Sequence, residues 1–178
     1  MNKRIKKYLL IVASFVFIIV VTAFGFAAYF IYTFPSFDDK YPHQSDEIMI
    51  TRFHDHRTEF EQLKTMAIAD DPMRRVDDDW SDPANLPADR VAEYRRLFKI
   101  AGTPRGISKY QGNEQIKFTA SSQGWVASGS SKGYIYRRGR RPPGDFVDSL
   151  NDQNRFRELD KYFLRHIEGD WYLYFQWL

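Results

Sequence analysis

The sequence predicts an α+β protein, in which a single transmembrane helix precedes a small domain of about two helices packed on an antiparallel sheet of about five strands. An uncharged apolar stretch near the N-terminus predicts the first helix. Apolar residues spaced by three and four positions, up to residue 101, predict the two helices of the domain. Beyond Gly102 apolar and polar residues alternate, and this period of two predicts the sheet.

The first element is the apolar stretch at residues 8–33, which contains no Asp, Glu, Lys, Arg or His. A helix from Tyr8 to Tyr32 would rise roughly 37 Å, at about 1.5 Å per residue, and would cross a hydrocarbon core about 30 Å thick. Tyrosines near both ends suit the two membrane interfaces. We therefore interpret 8–33 as a transmembrane anchor that contacts the lipid bilayer.

The charges beside this stretch predict its orientation. Residues 1–7 contain four Lys or Arg, whereas aspartates follow at positions 38 and 39. Because basic segments stay in the cytoplasm, we expect residues 1–7 to form a cytoplasmic tail and the domain to lie outside the cytoplasm. The predicted location is the inner (cytoplasmic) membrane, with the domain in the periplasm if the cell is Gram-negative. A cleaved signal peptide is the alternative, since Gly25-Phe26-Ala27 offers a small-x-small site, but the apolar stretch exceeds the usual length of roughly 7–15 residues.

The rest of the chain has the size of one ordinary domain. Residues 34–44, which include two prolines, are expected to form a juxtamembrane linker, and residues 45–178 the extracytoplasmic domain. The absence of cysteine excludes disulfides and thiolate metal sites. No cofactor is predicted, since the sequence has neither a phosphate-binding glycine loop nor a dinucleotide fingerprint.

The charge of the domain is balanced overall but unevenly distributed. Beyond the N-terminal tail there are 22 basic and 23 acidic residues, so no nucleic-acid partner is predicted. Residues 38–100 carry a net charge of −5, and residues 101–178 a net charge of +4. The two halves of the domain are therefore oppositely charged.

The first helix of the domain is predicted to begin after Ser45, an N-cap residue followed by two acids, and to continue to about Ala69. Residues 73–86 are rich in charges and prolines and are expected to form a loop. The second helix is predicted between Pro87, which suits a first turn, and Gly102, which suits the position after the last turn.

Short alternating segments separated by glycine and serine predict an antiparallel meander. The segments are residues 107–110, 116–120, 125–127, 133–136, 162–167 and 171–177. The last two flank Glu168-Gly169-Asp170 and are expected to form a hairpin. The final strand is so aromatic that we expect it inside the sheet, with Trp171 and Tyr174 buried. Residues 146–150 are predicted to form a helical turn.

Two motifs favour a structural role over chemistry. Gly129-Ser130-Ser131-Lys132-Gly133 matches the G-x-S-x-G turn that presents a nucleophilic serine, but that turn requires a helix after it, and here a strand follows. A hairpin turn is the better interpretation. The segment Asp77 to Asp82 has the acidic density of a calcium loop, yet it lacks glycine at the sixth position, and Ala88 stands where the bidentate Glu is needed. A solvated acidic loop is the better interpretation.

His54-Asp55-His56 is a candidate metal site, with His43 or a carboxylate as the third ligand. In a helix, however, residues two positions apart point to different sides, so the two imidazoles cannot share a metal. Polar positions on a solvated helix face are the better interpretation, and no metal site is predicted.

The densest basic segment of the domain is a loop that begins at residue 137. We predict that Arg137, Arg138, Arg140 and Arg141 bind either an acidic partner surface or anionic lipid headgroups. A solvated loop is the alternative. No catalytic residues are assigned, because the sequence shows no coherent catalytic set.

The sequence therefore favours a single-pass membrane protein that is not an enzyme and whose exported domain binds another protein. One form of this function is an immunity-type inhibitor that neutralises a toxin. The first alternative is an accessory or assembly subunit of a larger membrane complex, because small residues at 23, 25, 27 and 28 allow close helix packing. The second is an extracytoplasmic hydrolase that uses Ser131 or the histidines.

Overall fold

The computed structural model describes residues 3–33, 42–83, 85–110, 115–125, 128–156 and 162–177. Most of the predicted linker at 34–44 and of the predicted strand at 125–127 lies outside these residues. The chain divides into two compact units, Met1–Phe37 and Asp38–Leu178. The first unit contains one apolar helix, and the second contains helices and a large mixed sheet. The predicted α+β class with an apolar N-terminal helix is therefore confirmed.

Helix α1 extends over Lys3–Thr33 and includes most of the basic tail as well as the apolar stretch. Its segment Val12–Tyr29 is long and apolar enough to cross a membrane, and none of it is buried. A signal sequence meets the same criteria of length and composition. The Thr22 hydroxyl donates to the carbonyl oxygens of Ile18 and Ile19, at 2.8 and 3.0 Å. This side chain is thus satisfied within its own helix, which suits an apolar environment.

Three helices pack on one face of the sheet: α2 (Asp46–Asp55), α3 (Arg57–Ala69) and α4 (Ala88–Ala101). The predicted helix that ends near residue 69 is thus two helices, which corrects the expected number. The break lies at His56, with φ and ψ of −117° and 30°. The apolar face of the helix is interrupted at this point. Arg57 lies one turn after Phe53, at a position where an apolar residue would continue that face.

Two helix ends lie where the sequence predicts them. The Ser45 hydroxyl caps α2 and accepts a hydrogen bond from the Ile48 N–H at 3.4 Å. Gly102 ends α4 in the left-handed conformation, with φ of 65°. A Cβ at this position would lie 2.6 Å from Cδ of Arg52. Glycine adopts this backbone conformation without strain, and the arginine side chain packs against it.

The strands are β1 (Arg75–Val76), β2 (Ser81–Asp82), β3 (Ile107–Tyr110), β4 (Gln115–Trp125), β5 (Ser128–Arg137), β6 (Asp145–Phe146), β7 (Tyr162–Glu168) and β8 (Trp171–Trp177). They form one sheet in the order β2-β1-β3-β4-β5-β8-β7-β6. Neighbours are antiparallel except β6 and β7, which are parallel. Over the described residues, the predicted antiparallel sheet of about five strands is thereby corrected to a mixed sheet of eight. Alternation of apolar and polar residues can predict the five strands of four or more residues, whereas a strand of two residues is too short to show a period.

Three segments differ from their predictions. Residues 73–86 contain the short strands β1 and β2 and are not loop throughout. Gly129 to Gly133 lie within β5 and do not form a hairpin turn. Residues 146–150 begin with the end of β6 rather than a helical turn, and a short helix, α5 (Gln153–Phe156), follows. Pairing with neighbouring strands decides these conformations: β5, for example, pairs with β4 on one side and β8 on the other.

The main core lies between the sheet and helices α2, α3 and α4. Trp171 stands at its centre and is 1 % exposed. Its ring centroid lies 5.1, 5.7 and 5.3 Å from those of Phe53, Phe60 and Phe118. Tyr174 is also fully buried, but in a smaller cluster on the opposite face of the sheet. Both residues are buried as predicted, and β8 lies inside the sheet between β5 and β7.

The oppositely charged halves of the domain meet inside it. Asp46 is fully buried and forms ion pairs with Lys132 at 2.7 Å and Arg165 at 2.8 Å. Lys109 lies 3.2 Å from Asp71. Part of the charge asymmetry seen in the sequence is therefore neutralised within the domain.

Candidate functional site

The candidate site lies on the face of the sheet opposite to helices α2, α3 and α4, which we call the far face. Its side chains come from alternate positions of four adjacent strands: Lys117, Ser131, Ile135, Tyr162, Leu164, Tyr172, Tyr174 and Gln176. The apolar members form the smaller of the two hydrophobic clusters, with Phe146 packed against it. Strand alternation therefore brings one lysine and two amide or hydroxyl side chains onto an aromatic surface.

Lys117 is the principal charged group of the far face. Its Nζ lies 3.2 Å from Oε1 of Gln176 and 3.4 Å from Oγ of Ser131. It also lies 4.3 Å from the centroid of the Tyr174 ring. No ion pair joins Lys117 to a carboxylate in the part of the chain that the structure describes.

Burial lowers the pKa of the Lys117 ammonium to about 8, and the positive charge of Arg75 contributes to the same shift. The charged form is disfavoured because the side chain has lost water without gaining a counter-ion. A desolvated cation without an anionic partner destabilises a fold, and such groups are concentrated at functional sites.

A cleft of about 390 Å³ opens beside Lys117. Its lining comprises Gln115, Lys117, Pro143, Gly144, Tyr162 and Gln176. Thus two amides, an ammonium and a tyrosine surround the cleft, and none of these lining residues is a carboxylate. The volume falls within the range of about 300–1,000 Å³ that is usual for ligand sites.

Two of the four predicted arginines adjoin the far face: Arg141, and Arg137, which is the last residue of β5 and not part of a loop as predicted. Nη1 of Arg137 donates to Oε1 of Gln115 at 3.4 Å, and Gln115 lines the cleft. The guanidinium carbon of Arg141 lies 3.5 Å from the centroid of the Phe146 ring, a cation–π contact. The segment that follows these arginines, with Pro143 and Gly144, forms one wall of the cleft. The basic loop and Lys117 therefore belong to one surface.

The other two predicted arginines, Arg138 and Arg140, are exposed. Between them, the Gly139 N–H donates to Oδ1 of Asp170 at 3.1 Å, which attaches the loop to the turn between β7 and β8. Gly139 has φ of 62°, a conformation that glycine adopts without strain. The loop is thus tied down while these two guanidinium groups extend into solvent.

Arg75 on β1 extends the positive charge along the far face. It pairs in register with Ser108 on β3, which in turn pairs with Lys117 on β4. Its guanidinium lies 2.9 Å from a carboxylate oxygen of Asp77 and 5.7 Å from the ring centroid of Trp80, a residue that is 50 % exposed. An exposed aromatic ring next to a cation is typical of a surface that binds a partner.

The structure separates the residues of the candidate metal motif. Nδ1 of His54 lies 3.7 Å from a carboxylate oxygen of Glu168, whereas Nδ1 of His56 lies 3.9 Å from Glu59. His43 lies elsewhere, beside β4 and β5. Among the described residues, no three His, Asp or Glu side chains are grouped so that they could hold a metal ion.

The acidic segment at residues 77–82 forms the turn between β1 and β2 and is not simply a solvated loop. The Trp80 N–H donates to Oδ1 of Asp77 at 2.8 Å, and the Asp77 N–H donates to the Trp80 carbonyl oxygen at 2.9 Å. Asp82 pairs with Arg74 at 2.7 Å. These carboxylates are therefore engaged in the hairpin, whereas Asp78 and Asp79 are exposed.

One buried polar cluster was not predicted from the sequence. Lys132, inside the glycine-serine motif, is fully buried; its Nζ lies 2.7 Å from Oδ1 of Asp46 and donates to the Gln44 carbonyl oxygen at 2.8 Å. Oδ2 of Asp46 accepts from Leu150 N–H at 2.7 Å and from Arg165 at 2.8 Å. Burial lowers the pKa of Lys132, and the hydrogen bond and charge of Asp46 oppose that shift. Because each charge is paired, we assign this cluster a structural role.

No family model, no curated protein and no solved structure matches this chain. The protein is therefore described by its own sequence and structure alone. It has an apolar N-terminal helix, followed by an α+β domain whose mixed sheet carries a cationic and aromatic cleft on its far face.

Proposed function

We propose that this protein is a single-pass membrane protein whose domain lies outside the cytoplasm and binds an acidic segment of a partner protein at the far face of its sheet. The observation that carries this proposal is the environment of Lys117. Its ammonium is desolvated, borders a cleft, and is not ion-paired with any described carboxylate. A carboxylate of the partner, placed in the cleft, supplies the missing counter-charge.

The surroundings of Lys117 favour a strong contact with such a carboxylate. Charges attract more strongly in a desolvated site than in water, and a hydrogen bond to an ionised group contributes about 1.5–3 kcal/mol. The amides of Gln115 and Gln176 can bond the partner's backbone, and the Tyr162 ring offers apolar contact beside them. A buried centre of this kind accounts for most of the affinity of a protein interface.

In this proposal, the basic loop acts mainly on the rate of association. Arg138 and Arg140 extend into solvent, where salt screens their charge beyond about 8–10 Å. Exposed charges steer an oppositely charged partner during its approach and contribute little to the affinity of the final complex.

Helix α1 is, in the same proposal, an uncleaved anchor with its basic end in the cytoplasm. A reporter that is active only outside the cytoplasm, fused after Leu178, should therefore be active. Activity of a cytoplasm-only reporter at the same point would reverse the orientation. Carbonate-washed membranes should retain the full-length chain, whereas a product shortened by about 27 residues would show cleavage of a signal peptide.

Site-specific crosslinking tests the binding surface. A photo-crosslinking amino acid is placed at Arg138 on the basic loop and, as a matched control, at Ile68 on α3; both positions are exposed. We expect a protein crosslink from position 138 but not from position 68, with Asp or Glu in the crosslinked segment of the partner. Crosslinks from position 68 alone, or a partner segment without acidic residues, would contradict the proposal. The captured protein also distinguishes a toxin from a subunit of a membrane complex.

Binding kinetics with the captured partner separate the roles of the loop and the cleft. Replacing Arg137, Arg138, Arg140 and Arg141 by glutamine should slow association and flatten its salt dependence. The fold should tolerate the changes at Arg138, Arg140 and Arg141, since exposed substitutions usually alter stability by less than about 0.5 kcal/mol, and a variant that keeps the half-buried Arg137 is the control for a loss of stability at that position. Lys117→Met should instead speed dissociation. Unchanged kinetics of the quadruple variant at low salt would exclude a role for the loop.

A second candidate function, hydrolysis, rests on the distance of 3.4 Å between Oγ of Ser131 and Nζ of Lys117. A lysine with a lowered pKa can serve as the general base for a nucleophilic serine. Ser131 is only 7 % exposed, however, and the cleft is lined by other residues. A fluorophosphonate probe that labels the wild type at pH 9 but not Ser131→Ala would favour the hydrolase. Unlabelled protein that still binds its partner would favour the binding function.

A further inference from the structure

A second pocket lies where α2, the end of α4 and β4 meet, and its volume is about 290 Å³. Four polar side chains line it: Gln44, Arg52, Lys99 and Ser121. Two of them are cations, and none of the described residues that line the pocket is a carboxylate. The pocket therefore presents positive charge and hydrogen-bond donors to any ligand that enters it.

Arg52 is the central group of this pocket. Its Nη1 donates to Oε1 of Gln44, and it forms no ion pair with a described carboxylate. On its outer side Arg52 also borders a shallow depression with Glu47 and Asp55, neither of which is ion-paired with it. The side chain passes directly over Gly102, where a Cβ would come within 2.6 Å of it. The hydrogen bond to Gln44 and the contact with Gly102 thus orient the side chain before any ligand arrives.

Ser121 is held with similar firmness. It is 3 % exposed, and its Oγ lies 2.6 Å from Nδ1 of His43. Nε2 of the same imidazole lies 2.7 Å from Oγ of Ser130, and the ring packs edge-on against Phe175 at a centroid distance of 5.5 Å. Because the imidazole is fixed on three sides, the serine hydroxyl at the pocket wall has a defined place. Groups positioned in advance lose little entropy when a ligand binds.

We propose that this pocket binds a small molecule that carries a carboxylate or a phosphate group, with Arg52 as its main anchor. The planar guanidinium matches two oxygens of either group at once. Gln44 and Ser121 bond the remaining oxygens, and Lys99 adds charge at the exposed rim. The volume of about 290 Å³ lies at the lower end of the range of about 300–1,000 Å³ that is usual for ligand sites, which suits a small ligand.

Thermal unfolding of the full-length protein in detergent micelles tests this site. Inorganic phosphate and, separately, succinate are titrated at constant ionic strength maintained with sodium chloride. We expect at least one of them to raise the unfolding temperature to a plateau, because a ligand bound only by the folded state stabilises that state. A response to phosphate alone assigns a phosphate ligand, and a response to succinate alone assigns a carboxylate.

Variants connect the response to the pocket. Arg52→Gln should weaken the apparent affinity at least tenfold. Lys99→Glu should weaken it several-fold, and it remains informative if Arg52→Gln does not fold, because Lys99 is exposed. Arg74→Gln removes an exposed arginine outside the pocket and should leave the affinity unchanged. This site does not rest on the function proposed for the far face.

Three results would overturn the site. The first is the absence of a saturable response to both probes. The second is an unchanged affinity in Arg52→Gln and Lys99→Glu. The third is an equal loss in Arg74→Gln, which would show a general effect of charge.

Discussion

Replacing Lys117 by methionine is expected to stabilise the domain at pH 7 while weakening binding of the partner. Methionine has nearly the length of lysine but carries no charge, and its sulfur packs well against aromatic rings such as that of Tyr174. A more stable protein with a poorer function is the expected signature of a residue retained for binding.

The pKa of Lys117 determines the magnitude of this effect. It falls from 10.5 to about 8 in the folded state. At about 1.4 kcal/mol per unit, the folded state loses roughly 3 kcal/mol at neutral pH by keeping this ammonium charged. The variant also loses hydrogen bonds to Ser131 and Gln176, which offset about 1–2 kcal/mol of the gain. We therefore expect a net stabilisation of about 1–2 kcal/mol.

Urea unfolding of the full-length protein in detergent, followed by tryptophan fluorescence, to which the buried Trp171 contributes, measures this difference. The pKa in the folded state lies below that of the unfolded chain, so between about pH 8 and pH 10.5 the unfolded state binds more protons. The stability of the wild type then rises with pH relative to that of the variant. The advantage of Lys117→Met is therefore complete below about pH 8 and shrinks as the pH approaches 10.5.

Lys109→Met is the matched control, because Lys109 lies on the neighbouring strand, is 4 % exposed and has a carboxylate partner, Asp71. This variant should gain no stability at pH 7. A destabilised Lys117→Met variant at pH 7, or an advantage that does not shrink between pH 8 and pH 10.5, would refute the reasoning.

Two further predictions concern the folding of the domain. Asp46→Ala leaves the fully buried Lys132 without its carboxylate and should lower the free energy of unfolding by about 3–5 kcal/mol, measured by urea titration. A double variant with Lys132→Met should recover much of this loss. Unchanged stability of the single variant would show that the pair is not buried as described. Trp171→Ala should cost about 3–5 kcal/mol by leaving a cavity among aromatic rings, whereas Trp80→Ala, at a half-exposed position, should change stability by less than about 0.5 kcal/mol. Similar melting temperatures for these two tryptophan variants would contradict the assigned core.

Features that depend on neighbours in the chain were accessible from the sequence. The cap at Ser45, the glycine that ends α4 at residue 102, and the turn between β7 and β8 each rest on the chemistry of a few adjacent residues. The aromatic composition of the final strand likewise predicted the burial of Trp171 and Tyr174. The function and location proposed from the sequence, including binding by the four arginines of the basic loop, stay predictions that the experiments above test.

Features that depend on distant contacts were decided only by the tertiary structure. The segment from Gly129 to Gly133 has the composition of a turn, yet it lies in β5 because β4 and β8 pair with it on both sides. Lys117 and Lys132 occur in equally polar stretches of sequence. Lys132 is paired with a buried aspartate that lies 86 positions earlier in the chain. Lys117 lies on the far face and has no such partner among the described residues.

By itself, the sequence determined the α+β class, the apolar helix and the principal helices and strands, because these follow from periodicity and turn chemistry within short windows. The tertiary structure alone decided which face of the sheet each polar side chain occupies and which charges are paired. The environment of a side chain depends on segments that are distant in the chain, so the pattern of neighbouring residues does not predict it. For that reason the cleft beside Lys117 and the pocket around Arg52 became visible only in the folded domain.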